Sequence, residues 1–236
     1  MRLPSVEVVV PCYNEAERGL AKKIGLLARF LSKQKKFEWH VTIADNASTD
    51  ATPRVARALA KKLRNISYLR VPVKGRGLAL RTAWTKSKAD VLSYMDADLS
   101  TDLKHFPPLV QAVLDGADVA VGTRLARKSR TRRSLERELL SRAYNLLARA
   151  FLEVKTSDLQ CGFKAISRNA ARKLLPQVKD NQFFFDTELV ARAERLGMKV
   201  AEVPVEWREE EKTRVNVPRT VADYLRDLAR LRKELQ

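Results

Sequence analysis

Apolar residues in the first half of the chain fall into short runs separated by longer amphipathic stretches. Val6-Glu7-Val8-Val9-Val10, Val41-Thr42-Ile43-Ala44, Ile66 to Val71, Val91-Leu92-Ser93-Tyr94-Met95 and Val119-Ala120-Val121 are compact and rich in β-branched residues. Runs of this kind suit strands buried on both faces of a parallel sheet. Helical spacing occupies the intervals, at about 15–31, 78–87 and 105–114, and up to about 63 after Ser48-Thr49-Asp50. Those three polar residues offer N-caps for that second helix. Strand and helix alternate, which predicts an α/β, doubly wound sheet. Such sheets bind ligands beyond the carboxyl ends of their strands. Asn14-Glu15, Asp45, Asp96-Ala97-Asp98 and Arg124 all fall at that edge.

The second half has a different pattern. Arg124 to Arg142 holds eight Lys or Arg and two acids. A long helix over 135–154 follows, with Leu139, Ala143, Leu146, Leu147, Ala150, Phe151 and Val154 on one side. After Asp158 to Ile166 come Phe183-Phe184-Phe185-Asp186, a helix through Leu196 and a strand at 200–205. The last helix, about Arg219 to Glu234, aligns Val221, Leu225, Leu228, Leu231 and Leu235 on one stripe. The two apolar sides could face a membrane surface or the body of the domain. No internal repeat or flexible linker interrupts the pattern.

Composition narrows the picture in two respects. With 236 residues and a hydrophobic fraction of 45%, the chain can build a proper core. Its 46 Lys and Arg against 28 Asp and Glu leave a net charge of +18. That excess suits nucleic acid, an anionic membrane or a polyanionic substrate. No zinc finger, aromatic-rich RNA signature or helix-turn-helix accompanies it, so a nucleic-acid partner is not expected. Cys12 and Cys161 lack any CxxC or paired histidine and read as reduced, buried thiols. Residues 1–5 run straight into a strand and no apolar run reaches the ~18 residues of a membrane span. The expected location is therefore cytoplasmic, peripheral at the membrane's cytoplasmic face.

Among the candidate groups, Asp96-Ala97-Asp98 places two carboxylates at a strand end. Hard divalent cations take carboxylate and diphosphate oxygens together; the plain alternative is a capping pair at a strand-to-helix turn. Asp45, on a neighbouring strand end, could accept the N–H of a uracil ring or cap its own turn. Lys74-Gly75-Arg76-Gly77 joins a strand to a helix, where glycines and a helix start favour phosphate. Arg137 and Ser141 lie four apart on one helix face. Asp186 and Glu188 follow three phenylalanines; such a carboxylate could have a raised pKa and act as a base, or cap the helix.

Taken together these segments are recognisable. Val8-Val9-Val10-Pro11-Cys12-Tyr13-Asn14-Glu15 resembles the opening of family 2 glycosyltransferases of GT-A fold, a Rossmann-like, mostly parallel sheet flanked by helices. Asp45-Asn46-Ala47-Ser48-Thr49-Asp50 resembles their "DDGSTD", Gly75-Arg76-Gly77 their "GKG", and Asp96-Ala97-Asp98 their D-x-D. Asp158-Leu159-Gln160-Cys161-Gly162-Phe163-Lys164 is similar to the "DTQCGFK" of dolichyl-phosphate glucosyltransferases. Departures are Asn46 and Ala47 for Asp and Gly, Val73 for a common Asn, and Lys212-Thr213-Arg214 without the glycine of "GSK".

The resemblance implies a division at residue 216, with a catalytic domain over 1–216 and an amphipathic helix over 217–236. It implies that Pro11, Tyr13, Glu15 and Asp45 hold the nucleoside, with Arg76, Ala97 and Arg214 near the diphosphate. Asp96 and Asp98 would hold Mg²⁺ or Mn²⁺, with Ser100 as a weaker ligand. Arg124, Arg137 and Ser141 would hold an acceptor phosphate, and Asp98, Arg124, Arg137 and Asp186 would form the catalytic set. The expected reaction moves glucose from UDP-glucose to polyprenyl or dolichyl phosphate, with inversion. Its alternatives are mannosyl transfer from GDP-mannose and transfer to a sugar hydroxyl with Asp186 as base; the non-enzyme alternative is a basic nucleic-acid-binding protein.

Overall fold

The computed structural model describes residues 2–209 and 217–236, and the side chains of the last helix from residue 223 onward. Its elements alternate as the apolar pattern requires. Strand β1 (Ser5–Cys12), helix α1 (Leu20–Leu31), β2 (Glu38–Asn46), α2 (Thr52–Lys62), β3 (Ile66–Val71), α3 (Arg76–Lys86) and β4 (Val91–Met95) come first. Then follow α4 (Phe106–Leu114), β5 (Val119–Thr123), β6 (Arg130–Arg132), α5 (Leu135–Leu152), β7 (Phe163–Ser167) and α6 (Arg168–Leu174). Helix α7 (Phe185–Arg195), β8 (Val200–Pro204), β9 (Glu206–Arg208) and α8 (Val217–Leu235) complete the chain.

Seven strands form one sheet in the order β3-β2-β1-β4-β7-β5-β8. Only the pairings of β7 are antiparallel. The chain winds outward from β1 to β3 and then returns to place β4 on the other side of β1. That reversal makes the carboxyl ends of β1 and β4 a crevice for ligand. The strands carry apolar residues on both faces, because helices cover both. Val8, Val10 and Ile43 belong to one core, with Leu27 of α1 and Phe106 of α4. Val9, Tyr94 and Ala44 belong to the other, with Trp84 of α3 and Phe185 of α7.

Two helices begin later than their periodicity predicts. The residues expected to cap or start them hold the β1 and β2 loops together instead. Ser48 Oγ accepts the Asn14 amide at 3.0 Å, and Thr52 Oγ1 accepts that of Glu15 at 2.8 Å. Asn14 Oδ1 in turn accepts the Thr49 amide at 2.8 Å. The substituted turn carries a cost: Ala47 stands at φ +58°, a left-handed conformation that costs a residue with a Cβ about 1–2 kcal/mol.

Helix α5 has an unexpected orientation. It buries Asn145, Ala148 and Leu152 against the domain, and Asn145 Oδ1 accepts the Leu159 amide at 2.8 Å. Most of the apolar side foreseen for it faces outward: Leu139 is 72% and Leu146 69% exposed, and Leu135 before them 88%. Leu147 and Phe151 extend this ridge, while Val154 is buried. Helix α8 behaves in the opposite way. Leu228 and Leu231 are buried in the core and Tyr224 packs on Tyr144 and Phe184, with ring centroids 5.0 and 6.1 Å apart. Leu225, on the same predicted stripe, stays half exposed. No helix of the described residues is long and apolar enough to cross a membrane.

Candidate functional site

The site grows from the end of β4. Its last residue, Met95, leads into a tight turn that the Leu99 amide closes on Asp96 O at 3.1 Å. Leu99 lies at φ +56°, an uncommon conformation for a branched side chain and one that holds Asp96 and Asp98 on a single bend. Strand β9 pins this bend, because the Arg208 amide donates to Ser100 O at 2.9 Å. A small cavity of about 10 Å³ lies inside it, lined by Asp96, Asp98, Ser100 and Trp207 among others. Ser100 Oγ is buried there with no hydrogen-bond partner among the described residues.

Gly162, just before β7, lies against Asp96. A methyl built on it would come within 2.6 Å of Asp96 Cγ, so only glycine lets the carboxylate sit where it does. Asp98 Oδ1 accepts the Ser100 amide at 2.9 Å. Two carboxylates and an unpartnered hydroxyl around a cavity of this size fit a hard divalent cation, with its other ligands coming from a bound diphosphate. Among the described residues no cluster of three or more His, Cys, Asp or Glu offers an all-protein metal site.

Arg76, at the start of α3, crosses this site. Its guanidinium pairs with Asp96 at 2.7 Å and with Asp186 at 2.7 Å, and lies 5.0 Å from the Tyr94 ring centroid. Asp186 was expected as a helix cap or as a base of raised pKa. It is neither. Phe184 occupies the cap position of α7, and Asp186 is buried among Arg76, the Lys164 ammonium at 3.1 Å and the Tyr94 hydroxyl. Burial alone would raise its pKa, but the charges of Lys164 and Arg76 and the Tyr94 hydrogen bond hold it below the usual carboxylate value. Glu188 is likewise held low, as the hydrogen bonds of Arg230 and Arg192 outweigh its burial.

Asp45 is fully buried. Its oxygens accept from the Ser48 amide at 2.9 Å, the Tyr68 hydroxyl at 2.7 Å and Arg70 at 2.5 Å. These bonds outweigh desolvation and depress its pKa. The expected direct contact with a nucleobase N–H is therefore not open to it; it anchors Tyr68 and Arg70, and the Arg70 side chain is 40% exposed. Pro11 is half-buried near the end of β1, and Tyr13 and Glu15 lie in the loop beyond, where Lys74 Nζ stands 4.0 Å from the Tyr13 ring centroid. Ala97 is buried between the two aspartates.

On the other side of the D-x-D bend lie the cations. Arg124 is committed elsewhere than expected: its Nε and Nη2 donate to the buried Asp158 at 2.7 and 2.8 Å. Burial alone would raise the Asp158 pKa, but the charge and hydrogen bonds of Arg124 together hold it below the usual carboxylate value. Arg137 pairs with Glu209. Ser141, one turn on, has a buried hydroxyl with no hydrogen-bond partner among the described residues. Arg133, absent from the expected set, lies 5.8 Å from the Trp207 ring, and Arg124 lies 5.6 Å from the same ring. Arg133 Nε pairs with Glu138 at 2.6 Å, while its Nη2 is buried with no partner among the described residues, and burial together with the Arg124 charge lowers its pKa. An orphan guanidinium nitrogen beside a second cation is the surrounding of an anion site. Arg214 lies outside the described residues.

Sequence reasoning also missed Lys164, Tyr94 and Gly162 as parts of the site. The signal was present for Lys164 and Gly162, in the 158–164 segment. For Tyr94 there was none, since it reads as one more strand residue.

An open, mostly parallel sheet with an acidic D-x-D bend at its switch point defines the GT-A class of glycosyltransferase folds. The chain belongs to the family described as Glycosyl transferase family 2, whose model matches residues 7–175. It is 39% identical over 221 residues to Glycosyltransferase AglD of Haloferax volcanii, covering 92% of this chain and 35% of that protein. It is 31% identical over 212 residues to Dolichyl-phosphate beta-glucosyltransferase ALG5C of Trichomonas vaginalis, covering 85% of this chain and 63% of that protein. The chain thus spans less than two thirds of either relative's length. Among solved structures, glucosyl-3-phosphoglycerate synthase from Mycobacterium tuberculosis in complex with Mn²⁺ and UDP-glucose superposes with a TM-score of 0.68. That match covers 97% of this chain and 79% of the other at 20% identity, a likeness of fold.

Proposed function

We propose that this chain transfers a hexose, glucose from UDP-glucose, to a polyprenyl or dolichyl phosphate at the cytoplasmic face of a membrane, with inversion at the anomeric carbon. The names of the Trichomonas relative and of a Drosophila melanogaster relative, 31% identical over 223 residues, support the dolichyl-phosphate acceptor and the glucosyl group. The observation that carries the reading is the pairing of the D-x-D bend with orphaned polar atoms. Ser100 Oγ lies at the bend, and Arg133 Nη2 and Ser141 Oγ lie in the basic segment beyond it.

In this reading Asp96, Asp98 and Ser100 hold Mg²⁺ or Mn²⁺, which when bound offsets the charge developing on the leaving diphosphate. Pro11, Tyr13 and Glu15 line the nucleoside end, where Asp45 positions Tyr68 and Arg70. Arg76 is released from Asp96 as the diphosphate arrives. Arg133, Arg137 and Ser141 hold the acceptor phosphate, and Arg124 fixes the loop that carries them.

A phosphate monoester has its second pKa near ~6 and is already mostly dianionic at neutral pH. Its oxygen attacks the anomeric carbon from the face opposite UDP, so the C1–O bond to the diphosphate breaks as the new one forms. No proton must leave the nucleophile, and no base is required. Asp186, already ionised and held by two cations, suits this reaction better than transfer to a sugar hydroxyl, which needs a proton acceptor.

Arg137→Ala tests the acceptor assignment. Steady-state transfer to a short polyprenyl phosphate in detergent should show a rise of at least tenfold in the acceptor KM, with UDP-glucose KM unchanged. Unchanged kinetics toward the acceptor would remove Arg137, and with it the basic cradle, from the mechanism.

A further inference from the structure

The chain has two histidines. His40 lies near the start of β2, with its ring on Ser67 Oγ of β3 at 2.9 Å. His105 ends a short 3₁₀ turn (Leu103–His105) that follows the D-x-D bend and leads into α4. Its Nε2 accepts the backbone amide of Glu206, the first residue of β9, at 3.0 Å. A backbone N–H can only donate, so Nε2 is the acceptor and the ring proton sits on Nδ1. The imidazole is neutral in this arrangement. An imidazolium carries donors on both nitrogens and would set one donor against another.

That hydrogen bond fixes the strand on which the two halves of the site are registered. On one edge, β9 runs antiparallel to residues 100–102. The Asp102 amide donates to Glu206 O at 3.0 Å, Thr101 bridges to Trp207, and the Arg208 amide donates to Ser100 O at 2.9 Å. On the other edge β9 pairs with β6, with Trp207 opposite Thr131, and the Trp207 ring lies against Arg124 and Arg133. One strand of three residues thus joins the D-x-D bend to the basic segment. So short a strand has few hydrogen bonds of its own, and losing the one at its first residue loosens the rest.

The charged groups facing the ring are Lys104 and Asp102 on its own turn and Glu206 on β9, with Arg130 of β6 opposite Glu206. Helix α4 adds no charge over Phe106–Leu114. The two carboxylates favour an imidazolium, but Lys104 Nζ holds both, at 3.6 Å from Asp102 and 2.6 Å from Glu206. Burial and the Lys104 charge outweigh the carboxylates and keep the ring's pKa below the ordinary histidine value.

We propose that His105 is a positioning residue for metal-dependent donor binding: as a neutral acceptor it seats β9 against the D-x-D bend, and its protonation unseats the strand. The inference rests on the reading of Asp96 and Asp98 as the seat of the cation. The contact is intact at neutral pH and is lost as pH falls through the ring's lowered value, below about 6.5.

The test is calorimetric titration of the intact chain with UDP-glucose, with and without Mn²⁺, from about pH 7.5 to about pH 5. UDP-glucose contains no phosphate monoester, so its own charge is constant over this range. The metal-dependent gain in affinity of wild type should fall about three- to tenfold across it, the range of one net hydrogen bond. His105→Gln offers an amide oxygen that does not titrate, and its gain should stay constant. His105→Phe should show the reduced gain already at neutral pH. Amide exchange of residues 204–208 should be faster in His105→Phe than in wild type and His105→Gln at neutral pH. An acid limb in His105→Gln equal to that of wild type, or a full gain in His105→Phe, would overturn the proposal. A wild type with no metal-dependent gain at all would instead sink the reading of the donor site, and equal exchange of 204–208 in all three proteins would then overturn the seating of β9 by His105.

Discussion

Gly162→Ala perturbs the candidate site through one methyl group. Built on the present backbone, that methyl comes within 2.6 Å of Asp96 Cγ, whereas comfortable carbon–carbon separation begins near ~3.5 Å. The carboxylate must withdraw by about 1 Å. It can do so without unfolding the chain, because the Asp96 side chain is 41% exposed. Stability should therefore fall by no more than about 1–2 kcal/mol, within the cost of modest overpacking. The functional cost is larger, since a misplacement of ~1 Å can cost about 10²-fold in rate. Calorimetric titration of UDP with and without Mn²⁺ separates the two effects. The variant should keep its metal-independent UDP affinity and lose most of the metal-dependent increment, with kcat for transfer down roughly a hundredfold. Wild-type metal-dependent binding in Gly162→Ala would refute the claim that Asp96, in its present position, holds the cation.

Two further outcomes follow from the buried charges and the exposed ridge. Asp186→Asn leaves Arg76 and Lys164 with one carboxylate fewer between them, and breaking such a buried pair costs about 3–5 kcal/mol; scanning calorimetry should show Tm lower by roughly 6–20 °C. Because the folded pKa of Asp186 is depressed, its stabilising contribution is complete above the unfolded value of ~3.9 and is lost only as pH falls through the lower folded value. The wild-type Tm advantage over Asp186→Asn should therefore be constant from pH 8 to 5 and shrink below pH 4, whereas a general base of raised pKa would titrate between pH 5 and 8. The ridge of Leu135, Leu139 and Leu146 on α5, next to the exposed Arg127, Lys128, Arg130 and Arg132, is proposed as the membrane-facing surface. Each buried leucine is worth ~1.5–3 kcal/mol and each cation ~1 kcal/mol at an anionic bilayer. In flotation with anionic liposomes, Leu139→Ser/Leu146→Ser should reduce bound protein more than tenfold, and equal flotation of wild type with zwitterionic vesicles would contradict the electrostatic part.

The alternating half of the chain was legible because buried parallel strands leave unbroken apolar runs: Ile66–Val71 and Val91–Met95 stand where the pattern puts them. Strand β7 was not read as a strand from Phe163 to Ser167, since it is one antiparallel insertion among parallel neighbours, with a buried lysine as its second residue. That lysine is neutralised by Asp186 from a distant helix, a pairing no local pattern encodes. The same long-range pairing explains why Asp186 looked like a base. Three phenylalanines suggested an apolar edge, and the two cations that hold it come from β7 and α3. The D-x-D was visible as a weak motif; its strained bend at Leu99 and its dependence on Gly162 required the third dimension. Arg124 and Arg137 looked like free phosphate ligands in a basic run, yet each meets a carboxylate, Asp158 or Glu209, and Arg133, overlooked in the same run, meets Glu138 but keeps an orphan nitrogen.

The central claim is that the Asp96-Asp98 bend presents a nucleotide-sugar to a lipid phosphate. Its most direct measurement is transfer of labelled hexose to a short polyprenyl phosphate, compared for UDP-glucose, UDP-GlcNAc and GDP-mannose with and without Mg²⁺ or Mn²⁺. The account predicts a metal-dependent, alkali-stable glycolipid of inverted configuration formed from UDP-glucose, and none once the metal is chelated. Transfer that survives chelation, or that proceeds to sugar hydroxyls and not to the lipid phosphate, would contradict it.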